Sequence, residues 1–118
     1  MNISSNLGNT VLSIQLWLDD ERVAPPGWQR VYWPSEAIAL LEAGNVAVVS
    51  LDHDLGDDAK GTGYDVIAWI EHAVVTRAFK PPRLLVHTAN PAARVRMLAG
   101  IDALMRIHRI QARGEGPE

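Results

Sequence analysis

Three short polar clusters in the sequence have side chains that could carry out chemistry. Residues 18–22 read LDDER, residues 51–56 read LDHDLG and residues 86–91 read VHTANP. Each cluster follows a short apolar run, so each lies where a buried strand would leave the core. Carboxylates are costly to crowd together unless a metal ion, a bound cation or a proton offsets their repulsion. The clusters therefore predict a polar site, provided that the three strand ends meet.

The carboxylates of the first two clusters have the chemistry of a site for a hard divalent cation. Mg²⁺ prefers carboxylate and water oxygens, and it needs only one or two protein carboxylates. Asp19 or Asp20 together with Asp52 would suffice. We therefore expect a divalent metal here, Mg²⁺ or Mn²⁺.

The remaining polar residues of the clusters suit work on a phosphate group. His53 and His87 would act as general acid and base near neutral pH, and Asp54 would orient one imidazole. The helix start at Asn90 offers free backbone N–H groups, which favour an anion. Arg22 would add a charge-assisted contact.

Each cluster also has a purely structural interpretation. The Asp19-Asp20 pair could form a turn or a helix cap, the Asp-His-Asp run could form an Asx-turn, and His87 could be a buried histidine bonded to backbone. Together, at three successive strand ends, the clusters favour a site. The tryptophans are predicted to pack in or around the core, with Trp28 in a loop that could cover the site.

The order of strands and helices predicts a parallel α/β sheet. The pattern predicts strands over 11–18, 30–33, 46–51, 83–86 and 103–110, and helices over 34–43, 64–77 and 91–100. Ser35 is the predicted cap of the first of these helices, and Gly44 its stop. The helix expected between the first two strands is missing or reduced to a loop.

Length and composition predict one globular domain over 11–110, with a flexible lead over 1–10 and a flexible tail over 111–118. The chain has 118 residues, 47% of them hydrophobic, and a formal charge of −3, which gives no basic footprint for duplex DNA. It has no cysteine, which excludes disulfides and thiolate metal sites. No signal peptide or membrane span is evident, so we expect a cytoplasmic protein; its oligomeric state stays open.

Taken together, these motifs resemble the cyclic-phosphate processing receiver-like domain, a divergent branch of the response-regulator receiver fold. The motifs are LDDERVAP at 18–25, SLDHDLG at 50–56, GYD at 63–65 and HTANP at 87–91. The resemblance covers roughly residues 14–108. It implies a flavodoxin-like, three-layer sandwich of about five parallel strands in the order 2-1-3-4-5, with a reduced first helix.

The resemblance also implies roles for individual residues. Asp19 and Asp20 match the acidic pair that holds a divalent cation in receivers, and Asp52 matches the aspartate that accepts a phosphoryl group. Thr88 matches the receiver hydroxyl residue after the fourth strand. His53 and His87 are additions that mark the divergent branch.

The expected function is metal-assisted hydrolysis of a phosphoester, acting on the cyclic phosphate end of RNA or of a nucleotide. Covalent attack by Asp52 is a variant of this mechanism. One alternative is a signalling receiver phosphorylated on Asp52, but receivers carry a lysine near the end of the fifth strand, and the only lysines here, Lys60 and Lys80, lie elsewhere. The other alternative is a non-catalytic interaction module.

Overall fold

The computed structural model describes residues 13–56 and 58–114, which form a parallel sheet and three α-helices. The elements in chain order are β1 (Ile14–Leu18), β2 (Gln29–Val31), α1 (Pro34–Ala43), β3 (Val46–Leu51), a 3₁₀ helix (Asp58–Lys60), α2 (Gly63–Arg77), β4 (Arg83–Val86) and α3 (Pro91–Ala112). Between β1 and β2 the chain forms turns and no helix, as predicted.

The four strands are all parallel and lie in the order β2-β1-β3-β4. This confirms the predicted order for these four strands. Leu18 pairs with both Val31 and Leu51, and Leu51 pairs in turn with Val86. The carboxyl ends of all four strands are therefore level, so the loops that follow them share one edge.

The core lies on one face of the sheet. Leu16 and Leu18 of β1 and Val49 and Leu51 of β3 are fully buried there, because alternate residues of a strand point to the same face. All three helices contribute buried residues to the same cluster: Ala37 and Leu41 from α1, Val66, Ile67, Ile70 and Val74 from α2, and Ala93, Met97 and Leu104 from α3. Within the described residues the protein thus has two layers, and the third layer of the expected sandwich is not among them.

Helix α1 begins one residue earlier than its predicted cap. Trp33 is the N-cap, and the Glu36 carboxylate accepts the backbone N–H groups of Tyr32, at 2.7 Å, and Trp33, at 3.0 Å. The prediction that Ser35 caps the helix was wrong, since Pro34 already suits the first helical position. Gly44 ends the helix as predicted, with φ near 89°.

The predicted fifth strand over 103–110 was also wrong, because α3 runs without a break from Pro91 to Ala112. Gly100, predicted as the end of this helix, instead allows α3 to approach α2 closely. A Cβ at Gly100 would lie 2.8 Å from the Tyr64 hydroxyl oxygen and 3.2 Å from Cγ2 of Ile67. Glycine here serves helix packing rather than termination.

The predicted flexible ends fall mostly outside the described residues. The lead over 1–10 lies wholly outside them, and so do residues 115–118 of the tail. Residues 111 and 112 belong to α3. None of the described helices is long and apolar enough to cross a membrane.

Candidate functional site

Backbone hydrogen bonds continue past the strand ends and bring the three polar clusters side by side. The Asp19 N–H donates to the Val31 carbonyl at 3.1 Å, and the Asp52 N–H donates to the Leu18 carbonyl at 3.0 Å. The His87 N–H donates to the Leu51 carbonyl at 2.9 Å. The first residues beyond β1, β3 and β4 are therefore held next to one another at the sheet edge.

Three carboxylates meet at this edge. One ligand oxygen from each of Asp19, Asp20 and Asp52 lies within 4.8 Å of the others. Asp19 is fully buried, and Asp52 is 7% exposed. An all-oxygen set of this kind fits a hard divalent cation such as Mg²⁺.

Asp19 accepts four hydrogen bonds. The backbone N–H groups of Glu21 and Arg22 donate to Oδ1 at 2.8 and 2.9 Å. The Arg22 guanidinium at 3.1 Å and His87 Nε2 at 3.0 Å donate to Oδ2. Burial by itself raises the pKa of Asp19, but these donors favour the charged form and hold its pKa below the ordinary value. Asp19 is thus a charged carboxylate that its hydrogen-bond donors hold in a fixed position.

Asp52 lies beside Asp19 in a less favourable environment. Burial, together with the neighbouring charge of Asp19, raises the pKa of Asp52. The His53 backbone N–H, at 2.8 Å, and Arg22 Nη1, at 3.6 Å, offset only part of this effect. The two carboxylates therefore repel each other in the folded protein, and a bound cation would reduce this repulsion.

His87 is held on three sides. Nδ1 lies 2.7 Å from the Ser50 hydroxyl, Nε2 lies 3.0 Å from Asp19 Oδ2, and the ring stacks on Trp17 with centroids 3.8 Å apart. Burial lowers the pKa of His87 although Asp19 opposes the shift, so the imidazole is neutral at pH 7. Because a carboxylate only accepts, Nε2 carries the proton, and Nδ1 accepts from Ser50. Both ring nitrogens are thus occupied.

His53 belongs to a second group of polar side chains. Its Nδ1 lies 2.8 Å from Asp54 Oδ1, while Asn90 Nδ2 donates to Asp54 Oδ2 at 3.4 Å. Nε2 of His53 has no partner among the described residues. The two groups are joined by the hydrogen bond from the His53 backbone to Asp52, and no side-chain hydrogen bond connects them within 13–56 and 58–114.

The loop after β4 uses its polar residues to build the start of α3. Asn90 is the N-cap, as predicted, and its Oδ1 accepts the Ala93 N–H at 3.0 Å. The Thr88 hydroxyl accepts the Asn90 N–H at 3.2 Å, and Thr88 is 8% exposed. Arg94, on the first turn, donates to the Val86 carbonyl at 3.0 Å.

Two glycines let other groups approach the acidic edge. A Cβ at Gly63 would lie 1.8 Å from the Asp52 carbonyl oxygen, so α2 begins against the backbone of Asp52. A Cβ at Gly56 would lie 2.7 Å from Asp20 Oδ2. Thr62 caps α2, accepting the Tyr64 N–H at 3.2 Å.

Sequence reasoning missed three residues that support the site. Ser50 and Trp17 hold His87, and Arg30 Nε donates to the Asp19 carbonyl at 3.0 Å. Ser50 had a signal, since it is the one polar residue in the strand VAVVSL. Trp17 was predicted as packing only, and nothing in its local sequence indicates the stack on His87.

Fold and site together define a class of protein: a parallel α/β sheet with an acidic cluster at the carboxyl ends of its central strands. A family described as the cyclic-phosphate processing receiver domain matches residues 14–103. The chain belongs to this family. No curated protein and no solved structure matches the chain.

Proposed function

We propose that this protein hydrolyses cyclic phosphates on nucleotides or RNA ends with the help of a divalent cation. The observation that carries the proposal is the convergence of Asp19, Asp20 and Asp52 within 4.8 Å, beside two histidine-centred networks. The family's description supports the substrate class.

Asp19, Asp20 and Asp52 would hold the cation. The bound ion would offset the charge of the phosphate and lower the pKa of an attacking water. Arg22 Nη1, which lies 3.1 Å from Asp19 and 3.6 Å from Asp52, supplies positive charge to the same carboxylates. This guanidinium is also suited to bind a phosphate oxygen.

We assign the proton transfer to His53. Water attacks phosphorus, one P–O bond of the ring breaks, and His53 gives its proton to the leaving ring oxygen. The water's proton passes to solvent, from which His53 regains one. Asp54 orients the imidazole through Nδ1, which leaves Nε2 to face the substrate.

His87 has a different role in this proposal. Its two nitrogens are occupied by Ser50 and Asp19, so it acts as a positioning residue that holds Asp19 in place. Thr88 and Asn90 shape the loop whose helix start favours the phosphate.

The test is turnover of a 2′,3′-cyclic mononucleotide with Mg²⁺ or Mn²⁺. We expect His53→Ala to lower kcat by about 10²-fold or more. His72→Ala is the matched control, because His72 is exposed on α2, and it should leave turnover unchanged. If wild-type protein shows no turnover with either ion, the hydrolase proposal is wrong.

The same preparation separates the two alternatives. Incubation with a small phosphodonor, followed by intact mass measurement, would reveal a signalling receiver as one added phosphoryl group that Asp52→Ala abolishes. Lys60 lies over the Trp33 ring at 4.5 Å and Lys80 precedes β4, and the described residues contain no fifth strand to carry the receiver lysine. Metal binding without turnover or phosphorylation would indicate an interaction module.

A further inference from the structure

The sheet has a second face that no described helix covers. Gln15 and Trp17 of β1 alternate with the buried Leu16 and Leu18, so they point to this open face. The register places Val48 and Ser50 of β3 next to them and Arg83 and Leu85 of β4 beyond. Gln15 Nε2 donates to the Gly27 carbonyl at 3.2 Å, so the loop before β2 folds against one margin.

The described strands place only positive charge on the open face. Arg30 and Arg83 are the only charged residues in the four described strands, and both point to this face. They stand on the two edge strands, β2 and β4. The whole chain carries a net charge of −3, so this distribution is not a result of composition.

A row of ring contacts runs from the start of β2 to the acidic edge, and a further aromatic ring lies against Arg30. Tyr32 is 44% exposed, and the Arg30 guanidinium lies 4.5 Å from its ring centroid. Trp28 meets Trp17 edge-to-face with centroids 5.8 Å apart, and Trp17 stacks in turn on His87. His87 reaches Asp19 at 3.0 Å. The aromatic row thus leads directly to the acidic edge.

We infer that this open face binds an unpaired nucleic-acid strand whose end enters the acidic edge. Unpaired bases stack on exposed aromatic rings, and arginines on either side attract the phosphates. A duplex hides its bases from such rings. The part of this inference that concerns the end of the strand rests on the proposed function. The binding of the strand to the open face does not depend on it.

A second copy of the chain fits this face less well. A symmetric dimer through it would bring the arginines of one protomer towards those of the other. Like charges facing each other without acidic partners disfavour such an interface. The positive face instead complements a polyanion.

The test is fluorescence anisotropy with a labelled single-stranded oligoadenylate that ends in a 3′-hydroxyl and therefore cannot be turned over. We expect Trp28→Ala and Tyr32→Leu each to weaken binding at least fivefold. A fivefold loss of affinity is the smallest effect expected when one base stack is removed. Tyr32→Leu keeps apolar volume but loses the aromatic ring. Circular dichroism melting checks that each variant folds.

Arginine variants provide the matched electrostatic comparison. Arg83→Gln should weaken binding and reduce the slope of log K against log salt by about 1. Arg109→Gln, on the exposed side of α3, should leave both unchanged. Equal binding by Arg83→Gln and wild type, tighter binding to duplex, or a concentration-dependent dimer that these variants dissociate would overturn the inference.

The binding test and the turnover test can fail independently of each other. If the oligonucleotide binds as expected while no cyclic mononucleotide is hydrolysed, the face is a binding surface and the hydrolase proposal is wrong. If the mononucleotide is hydrolysed but the oligonucleotide shows no saturable binding, the open-face inference is wrong and the hydrolase proposal stands.

Discussion

The imidazole of His87 donates to the carboxylate of Asp19 at 3.0 Å, across the strand that separates them in the sheet. Asp19 follows β1, His87 follows β4, and β3 runs between these two strands. The bond is made above β3, where the Ser50 hydroxyl donates to Nδ1 on the other side of the ring at 2.7 Å. One neutral imidazole therefore ties together the ends of three strands.

Removal of this tie should destabilise the protein. We expect His87→Ala to lower the free energy of unfolding by about 2 kcal/mol, because it removes two partly buried hydrogen bonds. Ser50→Ala should cost about 1 kcal/mol. Urea denaturation measures both. In the double variant the loss of Ser50 should cost less than it does alone, and full additivity would show that the two side chains do not interact.

Neutralisation of Asp52 and neutralisation of Asp19 should change the free energy of unfolding in opposite directions. Asp52→Asn should raise the free energy of unfolding of the metal-free protein by about 1 kcal/mol, because burial and the charge of Asp19 disfavour the Asp52 carboxylate. Asp19→Asn should lower it by about 1–3 kcal/mol, because it breaks a network of four donors. Thermal melts in a chelator measure both. Stabilisation by both changes would contradict the assigned environments.

The stability of the protein should fall as His87 is driven towards protonation. Burial lowers the pKa of folded His87 below the ordinary value of 6.5, so the unfolded chain binds this proton more readily. The contribution of His87 is complete above pH 6.5 and is lost as the pH falls below it. We expect wild type to lose more stability between pH 7.5 and 5.5 than His87→Gln, in metal-free urea titrations. Parallel profiles, or an imidazole NMR titration above pH 6.5, would contradict the assignment.

Substitution of two glycines by alanine should have unequal effects. At Gly63 the new Cβ would lie 1.8 Å from the backbone carbonyl of Asp52, which cannot move without disturbing the site, so we expect a loss of at least about 3 kcal/mol. At Gly100 the nearest atom is the Tyr64 hydroxyl oxygen, at the end of a side chain, and alanine favours helix, so the change should stay within about 1 kcal/mol. Urea denaturation compares the two. A larger loss at Gly100 would mean that α3 cannot adjust against α2.

Strands β3 and β4 were predictable because their local patterns are unambiguous. The apolar runs at Val46–Leu51 and Arg83–Val86 end abruptly at polar residues, and both strands have the predicted bounds. The C-terminal segment was not predictable in this way. Residues 103–110 mix apolar and charged residues in a pattern that suits either a strand or a helix, and Gly100 has a local preference for helix ends. In the structure Gly100 lies inside one long helix and packs closely against α2, and this contact is a tertiary feature that the local pattern does not encode.

By itself, the sequence determined where three strands end and which acids, imidazoles and amides follow them, because strand ends and polar residues are local features. Only the tertiary structure decided which of these side chains form hydrogen bonds with one another. It pairs His87 with Asp19, 68 positions away, and leaves His53 with its neighbour Asp54. The physical reason is that a hydrogen bond requires its two heavy atoms to lie within about 3 Å. Strand order and side-chain packing set such distances, and no local pattern encodes them.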